Sequence, residues 1–440
     1  MRVLLVGSGG REHALAWKLS RSEVVDDLLF WPGGVSMSHC GEKLPLASDS
    51  SWSELVKESI SRKVDYIVVG PEQPLAEGLA DLCKEAGLPV FGPESAAAEL
   101  ESSKVFAKEV MAAANIPTAA WVKVEDRESC RREALKMLNE KGGVVLKASG
   151  LAGGKGVFVC FRSEDVENGL KRLYETSMKG AAASVVVEEV LQGRECSFFT
   201  FLGKGKPGTL GFAVDFKRLG DGDQGPNTGG MGCYSPVPWL PQGAADLVNT
   251  RIVFPLIAEL KRRNIEYIGC LYVGIMWSEE GPKVVEFNVR LGDPEAQVLA
   301  LQDRRDWGKL IADRLGLTQS NGEDFSEVQQ LDQGRSVAIV MASAGYPYGE
   351  GETVAPKLSP EIFKNDDPRL CIFGASVKEH SAESWQAGTG RVLSVVCHRE
   401  DLEGARMAAY EQVESIAQKW DGVRYRKDIG LKATQEDLEN

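Results

Sequence analysis

Residues 144–160 read VVLKASGLAGGKGVFVC, and the rest of the chain is read outward from them. Val144–Leu146 is an apolar run with Lys147 at its end, and Val157–Cys160 is a second. Between them stand Gly150, Gly153, Gly154 and Gly156, with Lys155 among them. Two short β-prone runs around a glycine-rich turn predict a hairpin. Glycines let backbone approach a ligand and aim N–H groups at anionic oxygens. With two lysines beside them, the stretch suits a polyphosphate; a plain glycine-rich turn is the bland alternative. A P-loop is excluded, because it needs Gly-x-x-x-x-Gly-Lys-Ser/Thr running from strand into helix. Ser149 stands where the first glycine is required, and Gly156 follows Lys155. The expectation is a lid hairpin over a nucleotide.

A chain of 440 residues exceeds one hydrophobic core and predicts about two to four domains. The 51 basic and 64 acidic residues leave a net charge of −13. That argues against a general nucleic-acid or membrane-surface binder, although a few local lysines still suffice for a small anion. No apolar run reaches the ~18 residues of a membrane span. MRVLLVGSGGREHA turns to glycine and charge too soon for a signal peptide. Nine scattered cysteines without a Cys-x-x-Cys pair predict reduced, mostly buried thiols and a cytoplasmic enzyme. Four histidines, His13, His39, His380 and His398, make a histidine-built zinc site unexpected.

Val3–Val6, a glycine turn and a helix over Ala14–Ser20 open a βαβ unit whose helix N-terminus is an anion site. Glu12 replaces the third glycine of a dinucleotide fingerprint, so NAD is not predicted. Tyr66–Val69 and Pro89–Phe91 read as strands and Leu75–Ala86 as a helix, giving a parallel α/β domain over 1–103. Gly9, Gly10 and Glu72 would lie beyond its strand ends, where such sheets bind ligands. Lys104–Ala114 reads as a helix; Lys104 taken alone is an ordinary solvated lysine. The strand Ser184–Glu189 would offer an edge to a base, with Glu195 beyond it for a ribose hydroxyl.

GPNTGGMG at 225–232 is either a linker or, with Asn227 and Thr228, an ordered loop against a ligand. In VVEFNVRL, 284–291, strand periodicity puts Glu286, Asn288 and Arg290 on one face. A carboxylate, an amide oxygen and a guanidinium make a hard-oxygen site for Mg²⁺ beside a phosphate; a half-exposed polar face is the alternative. From about residue 328, strands at Ser336–Ala342, Leu370–Phe373 and Val392–Cys397 and a helix at Asp401–Ile416 predict a small α+β domain. Gly388-Thr-Gly-Arg391 is a turn or a substrate contact.

Together these pieces resemble the glycinamide ribonucleotide synthetase (phosphoribosylamine–glycine ligase) family of ATP-grasp enzymes. The motifs are GSGGREHALAWKL from Gly7, VGPEQPLAEG at 69–78, FGP at 91–93 with LESSK at 100–104, LKASGLAGGKGV at 146–157, GPNTGGMG, EFNVRLGDPE at 286–295 and YRKDIG at 425–430. The resemblance implies an α/β and α+β multidomain chain. An N-terminal parallel α/β domain (1–103) precedes an ATP-grasp domain (104–327, lid about 121–190) and a C-terminal α+β domain (328–440). It implies ligation of glycine to 5-phosphoribosylamine through glycyl phosphate, using ATP and Mg²⁺ or Mn²⁺, by a cytoplasmic monomer.

By match, Lys104, Lys147, Lys155 and the glycines Gly153, Gly154 and Gly156 would hold ATP phosphates. Glu188, Glu189 and Leu191 would form the adenine hinge and Glu195 would bind ribose. Glu286 and Asn288 would hold the metal. Arg290, Lys217 and Asp215 would be catalytic, and Gly9, Gly10, Glu72, Asn227, Thr228, Gly229 and Arg391 would bind substrate.

The chain departs from the family at Val214 and Phe216 (usually Gln and His), at Gly34–Met37 (Asn-x-Gly-Thr), at Phe373–Ser376 (His-Ala-Gly-Thr) and at Gly388–Gly390 (Asn/His-Gly-Gly). The nucleotide and metal motifs are intact; the changes fall where acceptor and phosphate are expected. Three readings follow: the family's glycine ligase, a ligase with another amine or acid, or an idle nucleotide-binding relative.

Overall fold

The computed structural model describes residues 1–150, 156–175, 184–318, 334–349, 357–363, 367–381 and 384–434. Strands β1 (Arg2–Gly7), β2 (Asp27–Pro32), β3 (Glu42–Lys43), β4 (Tyr66–Val69) and β5 (Val90–Phe91) form a parallel sheet ordered β3-β2-β1-β4-β5. Both of its faces are buried, which is why its strands are continuously apolar. Leu4, Val6, Ile67 and Val69 enter one core while Val3, Leu5, Tyr66 and Val68 enter another. The chain order reverses between β1 and β4, so the loops after these two strands flank the ligand crevice of such a sheet.

Two helix expectations change. The first helix begins at Gly10 rather than Ala14, because Glu12 accepts the Gly9 N–H at 2.6 Å and closes the turn early. The helix expected over Leu75–Ala86 divides into Glu72–Ala76 and Leu79–Glu85 at Gly78, whose φ is +87°. A helix cannot run through that conformation.

Strands β6 (Trp121–Val124), β7 (Val144–Ala148), β8 (Val157–Cys160) and β9 (Val185–Glu189) form a second sheet, ordered β6-β9-β7-β8. Helices Arg127–Lys141 and Ser163–Glu175 supply much of its separate hydrophobic core. β7 and β8 pair antiparallel, Lys147 opposite Val157, so the expected hairpin is present. Gly153, Gly154 and Lys155 lie outside the described residues.

The remaining strands are β10 (Arg194–Leu202), β11 (Gly208–Asp215), β12 (Arg218–Gly220), β13 (Gln224–Asn227), β14 (Gly232–Ser235), β15 (Gly269–Ser278) and β16 (Gly281–Asn288). They continue with β17 (Arg335–Ala342), β18 (Lys357–Leu358), β19 (Leu370–Gly374), β20 (Val377–Ser381), β21 (Ser384–Ala387) and β22 (Arg391–Arg399). Eight of them make one sheet, β16-β15-β10-β11-β14-β17-β22-β19. It runs unbroken past residue 328, because β14 pairs with β17. Helix Leu402–Ala417, capped by Asp401, packs against β17 and β22.

The strand expected over Val284–Leu291 ends at Asn288. The Val289 N–H donates to Glu101 at 2.8 Å, not to a neighbouring strand. The chain therefore leaves the sheet beside Asn288 and carries Arg290 toward the N-terminal domain.

Candidate active site

Lys104 and Lys147 come from separate elements and are tied together by Ser149. Ser103 caps helix Lys104–Ala113 by accepting from Phe106 N–H at 3.2 Å. The Ser149 hydroxyl accepts from Val105 N–H at 3.2 Å, and its carbonyl from Lys104 N–H at 3.2 Å. The helix start is thus fastened to the base of the hairpin. Lys104 is half-buried, and loss of solvent lowers its pKa against the pull of Glu286. The exposed-lysine reading of Lys104 is therefore set aside. Gly156, at the end of the hairpin turn, is buried, and its carbonyl accepts from Ala148 N–H at 2.9 Å.

Glu188 is not a free edge residue. β9 is interior, with Glu188 opposite Trp121 on β6 and opposite Val145 on β7. Glu189 N–H donates to the Ala120 carbonyl at 3.0 Å. The edge expected at Ser184–Glu189 is therefore filled on both sides by β6 and β7. Backbone outside this pairing begins past Glu189, where half-buried Leu191 lies. The Glu188 carboxylate is buried between Lys147 and Lys108.

Glu286 is the electrostatic centre. Burial alone would raise its pKa, but Lys217, Lys104, Lys147 and Arg290 outweigh burial and hold it below the usual carboxylate value. Asn288, which is buried where Glu286 is half-buried, follows two positions on and receives a 3.4 Å contact from Arg290 Nη2. An ionised carboxylate and an amide oxygen among phosphate-seeking cations fit a hard divalent ion.

Lys217 forms an ion pair with Glu195, so the ribose candidate and a catalytic candidate meet. Burial opposes the Lys217 charge, but Asp215, Glu195, Tyr272 and Glu286 raise its pKa well above the ordinary value. Asp215 is pushed up by burial and by Glu195, against Lys217. Glu295, absent from the expected site, rises to about 7 through burial and the nearby Asp215. Gly292 makes room for it, since a Cβ there would sit 2.3 Å from Glu295 Oε2.

Arg290 donates to Glu72 at 3.1 Å, to Glu101 at 2.8 Å and to the Leu291 carbonyl at 3.2 Å. Glu101 and Lys108 were missed. Each stands close to another helix charge, Glu99 or Glu109, so from sequence it cannot be told from a solvated face. Gly9 is not the open anion donor expected of a helix N-terminus, because its N–H is committed to Glu12. A Cβ on Gly7 or Gly70 would collide with the Glu12 side chain, which explains glycine at both places. Gly10 lies against Gln297 and Asp293.

The 225–232 loop is ordered, and part of it is strand β13. Asn227 pairs opposite Arg218 and is exposed. The Thr228 hydroxyl donates to the Lys217 carbonyl and accepts from Gly230 N–H, both at 3.0 Å. Gly229 N–H donates to Tyr346 Oη at 2.9 Å. Arg391 donates to the Gly229 carbonyl at 2.7 Å and pairs with Asp293 at 3.1 Å. Thr228 therefore ties the loop to Lys217, and Arg391 holds it against the Gly292–Glu295 turn. Phe216 packs on Tyr234, with the Arg426 guanidinium 4.8 Å over its ring. It lies between Asp215 and Lys217 in sequence but joins the C-terminal core.

A parallel α/β domain, a lid sheet with its own core and an antiparallel sheet presenting carboxylates to buried lysines define an ATP-grasp enzyme, an ATP-dependent ligase. The biotin carboxylase domain of Hydrogenobacter thermophilus 2-oxoglutarate carboxylase, solved with MgADP and bicarbonate, shares this fold at TM-score 0.68 and 17% identity, over 96% of this chain and 91% of that one. The chain belongs to the phosphoribosylglycinamide synthetase family: its N domain model matches residues 1–101, its ATP-grasp (A) domain model 102–296 and its C domain model 336–432. Phosphoribosylamine–glycine ligase of Streptococcus pneumoniae is 38% identical over 437 residues, 98% of this chain and all of that protein. The structure of the Thermotoga maritima phosphoribosylamine–glycine ligase superposes at TM-score 0.80 with 31% identity, over 98% of this chain and 100% of that one. Among the described residues no helix is long and apolar enough to cross a membrane.

Proposed function

We propose that this chain joins glycine to 5-phosphoribosylamine, consuming ATP and giving glycinamide ribonucleotide, ADP and phosphate. The observation that carries the reading is the gathering of Lys104, Lys147, Lys217 and Arg290 around half-buried Glu286, which they hold in its ionised form. Such a set stabilises charge moving between phosphate and carboxylate oxygens and needs no protein nucleophile. Glu286 and Asn288 would hold Mg²⁺, which, when bound, neutralises phosphate charge. Lys104 and Lys147, with Lys155, serve the polyphosphate; Glu188, Glu189 and Leu191 serve the base and Glu195 the ribose. Lys217 steadies developing negative charge, and the Asp215–Glu295 pair offers a place for the proton the attacking amine loses. The units are taken as 1–103, 104–327 and 328–440. Nine buried, free cysteines support a reducing compartment, the cytoplasm.

A second reading keeps the chemistry and changes the acceptor. Three of the divergent segments meet: Ser36 Oγ donates to the Gly374 carbonyl at 3.3 Å, and Gly388 N–H donates to the Ser376 carbonyl at 2.7 Å, while Phe216 lies apart in the C-terminal core. Differences that meet in this way support a different amine better than scattered drift does. The deciding experiment is ADP release with Mg·ATP and glycine, with and without freshly generated phosphoribosylamine, the product identified by mass. Amine-dependent release of glycinamide ribonucleotide supports the first reading. Binding of Mg·ATP without that product supports the second, and no turnover with any amine or acid supports an idle relative.

A further inference from the structure

Lys108 lies one turn beyond Lys104 on helix Lys104–Ala113, so the two lysines leave the same helix face. Its side chain is 4% exposed, and its Nζ sits 2.6 Å from Glu188 Oε2. The same ammonium donates to Thr118 Oγ1 at 2.8 Å. Thr118 Oγ1 in turn donates to the Val284 carbonyl at 2.6 Å, in the strand that carries Glu286. The second Glu188 oxygen belongs to Lys147, whose Nζ also reaches the Val285 carbonyl at 3.1 Å. One carboxylate thus stands between two buried ammonium groups, and both connect the lid sheet to β16.

The two lysines differ in what they are free to do. Lys147 projects from the hairpin that closes over a nucleotide, and contacting a phosphate oxygen draws it from Glu188. A buried carboxylate left without a counter-ion is strongly destabilised. Lys108 is anchored by Thr118 and stays with Glu188 whichever way Lys147 turns. We propose that Lys108 is a positioning residue for the nucleotide, the fixed counter-ion that keeps the Glu188 carboxylate in place while Lys147 engages the polyphosphate. The proposal rests on the nucleotide reading of this face given above.

The test measures binding of a non-hydrolysable ATP analogue with Mg²⁺ to the full chain by calorimetry, together with KM for ATP and kcat. Lys108→Met is expected to weaken analogue binding about tenfold and raise KM in step, with kcat changed less than about threefold. Glu188→Gln also weakens binding. Adding Lys108→Met to Glu188→Gln is expected to cost no more than about twofold further, since the carboxylate that Lys108 serves is gone. A merely structural lysine would lower thermal stability and leave analogue affinity alone. Unchanged affinity in Lys108→Met, or losses that add in the double variant, overturns the proposal. Should Lys108→Met fail to fold, Thr118→Val, which removes the Lys108 anchor, takes its place alone and with Glu188→Gln; unchanged analogue affinity, or losses that add, is then the overturning result. An unsubstituted chain that does not bind the analogue overturns the nucleotide reading itself, whatever Lys108 does.

Discussion

Glu101 holds Arg290 with one carboxylate oxygen and the Val289 N–H with the other, each at 2.8 Å. The carboxylate belongs to the end of helix Ser95–Ser102, while the guanidinium has just left the strand of Glu286 and Asn288. Glu72, from the same N-terminal domain, takes the Arg290 Nε–H at 3.1 Å. Two carboxylates of one domain therefore fix the exit of the candidate metal strand of another. Glu101→Gln keeps the shape, but one of its two acceptors becomes an NH₂ facing a donor. Apparent divalent-metal affinity and kcat/KM are expected to fall about 10- to 100-fold, with about 1–3 kcal/mol lost in stability. Mn²⁺ titration and urea unfolding read the two separately; unchanged metal affinity would reduce Glu101 to a domain fastener.

Glu286→Ala removes a negative charge that Lys217, Lys104, Lys147 and Arg290 all face. Mg·ATP-dependent turnover is expected to drop at least about 10³-fold, because both the metal ligand and the balance of the cation set are lost. Circular dichroism should show the fold retained. A variant with near-normal ADP release would remove Glu286 from the chemistry.

Phe216→His restores the residue usual in the family and tests whether this departure matters. The ring packs with Tyr234 and Arg426 in the C-terminal core, not beside Asp215 and Lys217. Steady-state constants are expected to change less than about threefold, whereas Lys217→Met should cost at least about 10²-fold in kcat/KM. A large gain from Phe216→His would mean that the histidine reaches the acceptor from that side.

Much of this architecture was legible because its signals are local. The paired strands of the Val144–Cys160 hairpin and the parallel strands at Val3–Val6, Tyr66–Val69 and Phe91 announce themselves through apolar runs and glycine turns and form where expected, whereas β2 and β3 lie outside the expected set. What stayed hidden depends on distant partners. Nothing near Glu101 says that its carboxylate meets Val289 and Arg290 across the chain. Nothing near Glu188 says that β6 and β7 fill both sides of its strand. In sequence Glu12 shows only as a break in a dinucleotide fingerprint; its positive role, filling the space between Gly7 and Gly70, needs both strands in place. The exit at Asn288 likewise follows from a helix in another domain, whereas strand periodicity alone carries the pattern on to Leu291.

Glu295 makes stability depend on pH with a definite sign. Burial and the neighbouring Asp215 raise its folded-state pKa to about 7, against an ordinary value of 4.5. Below the ordinary value the group is protonated folded and unfolded, and it carries no penalty. As pH rises from there toward the folded value, the unfolded chain gives up the proton while the folded chain keeps it, so stability falls. Above the folded value the penalty is complete and constant. Glu295→Gln cannot ionise and escapes it. The stability of the variant relative to the parent is therefore expected to increase by about 1–3 kcal/mol between about pH 5 and about pH 8. Any hydrogen bond lost with the carboxylate shifts that difference equally at every pH, so only its pH dependence reports the proton. Urea unfolding across this range measures it. Asp215→Asn should lower the Glu295 pKa and move the window to lower pH, because one of the charges opposing ionisation is gone. A difference that stays flat with pH would show that Glu295 ionises as easily folded as unfolded, and would withdraw the Asp215–Glu295 pair as a proton acceptor near neutral pH.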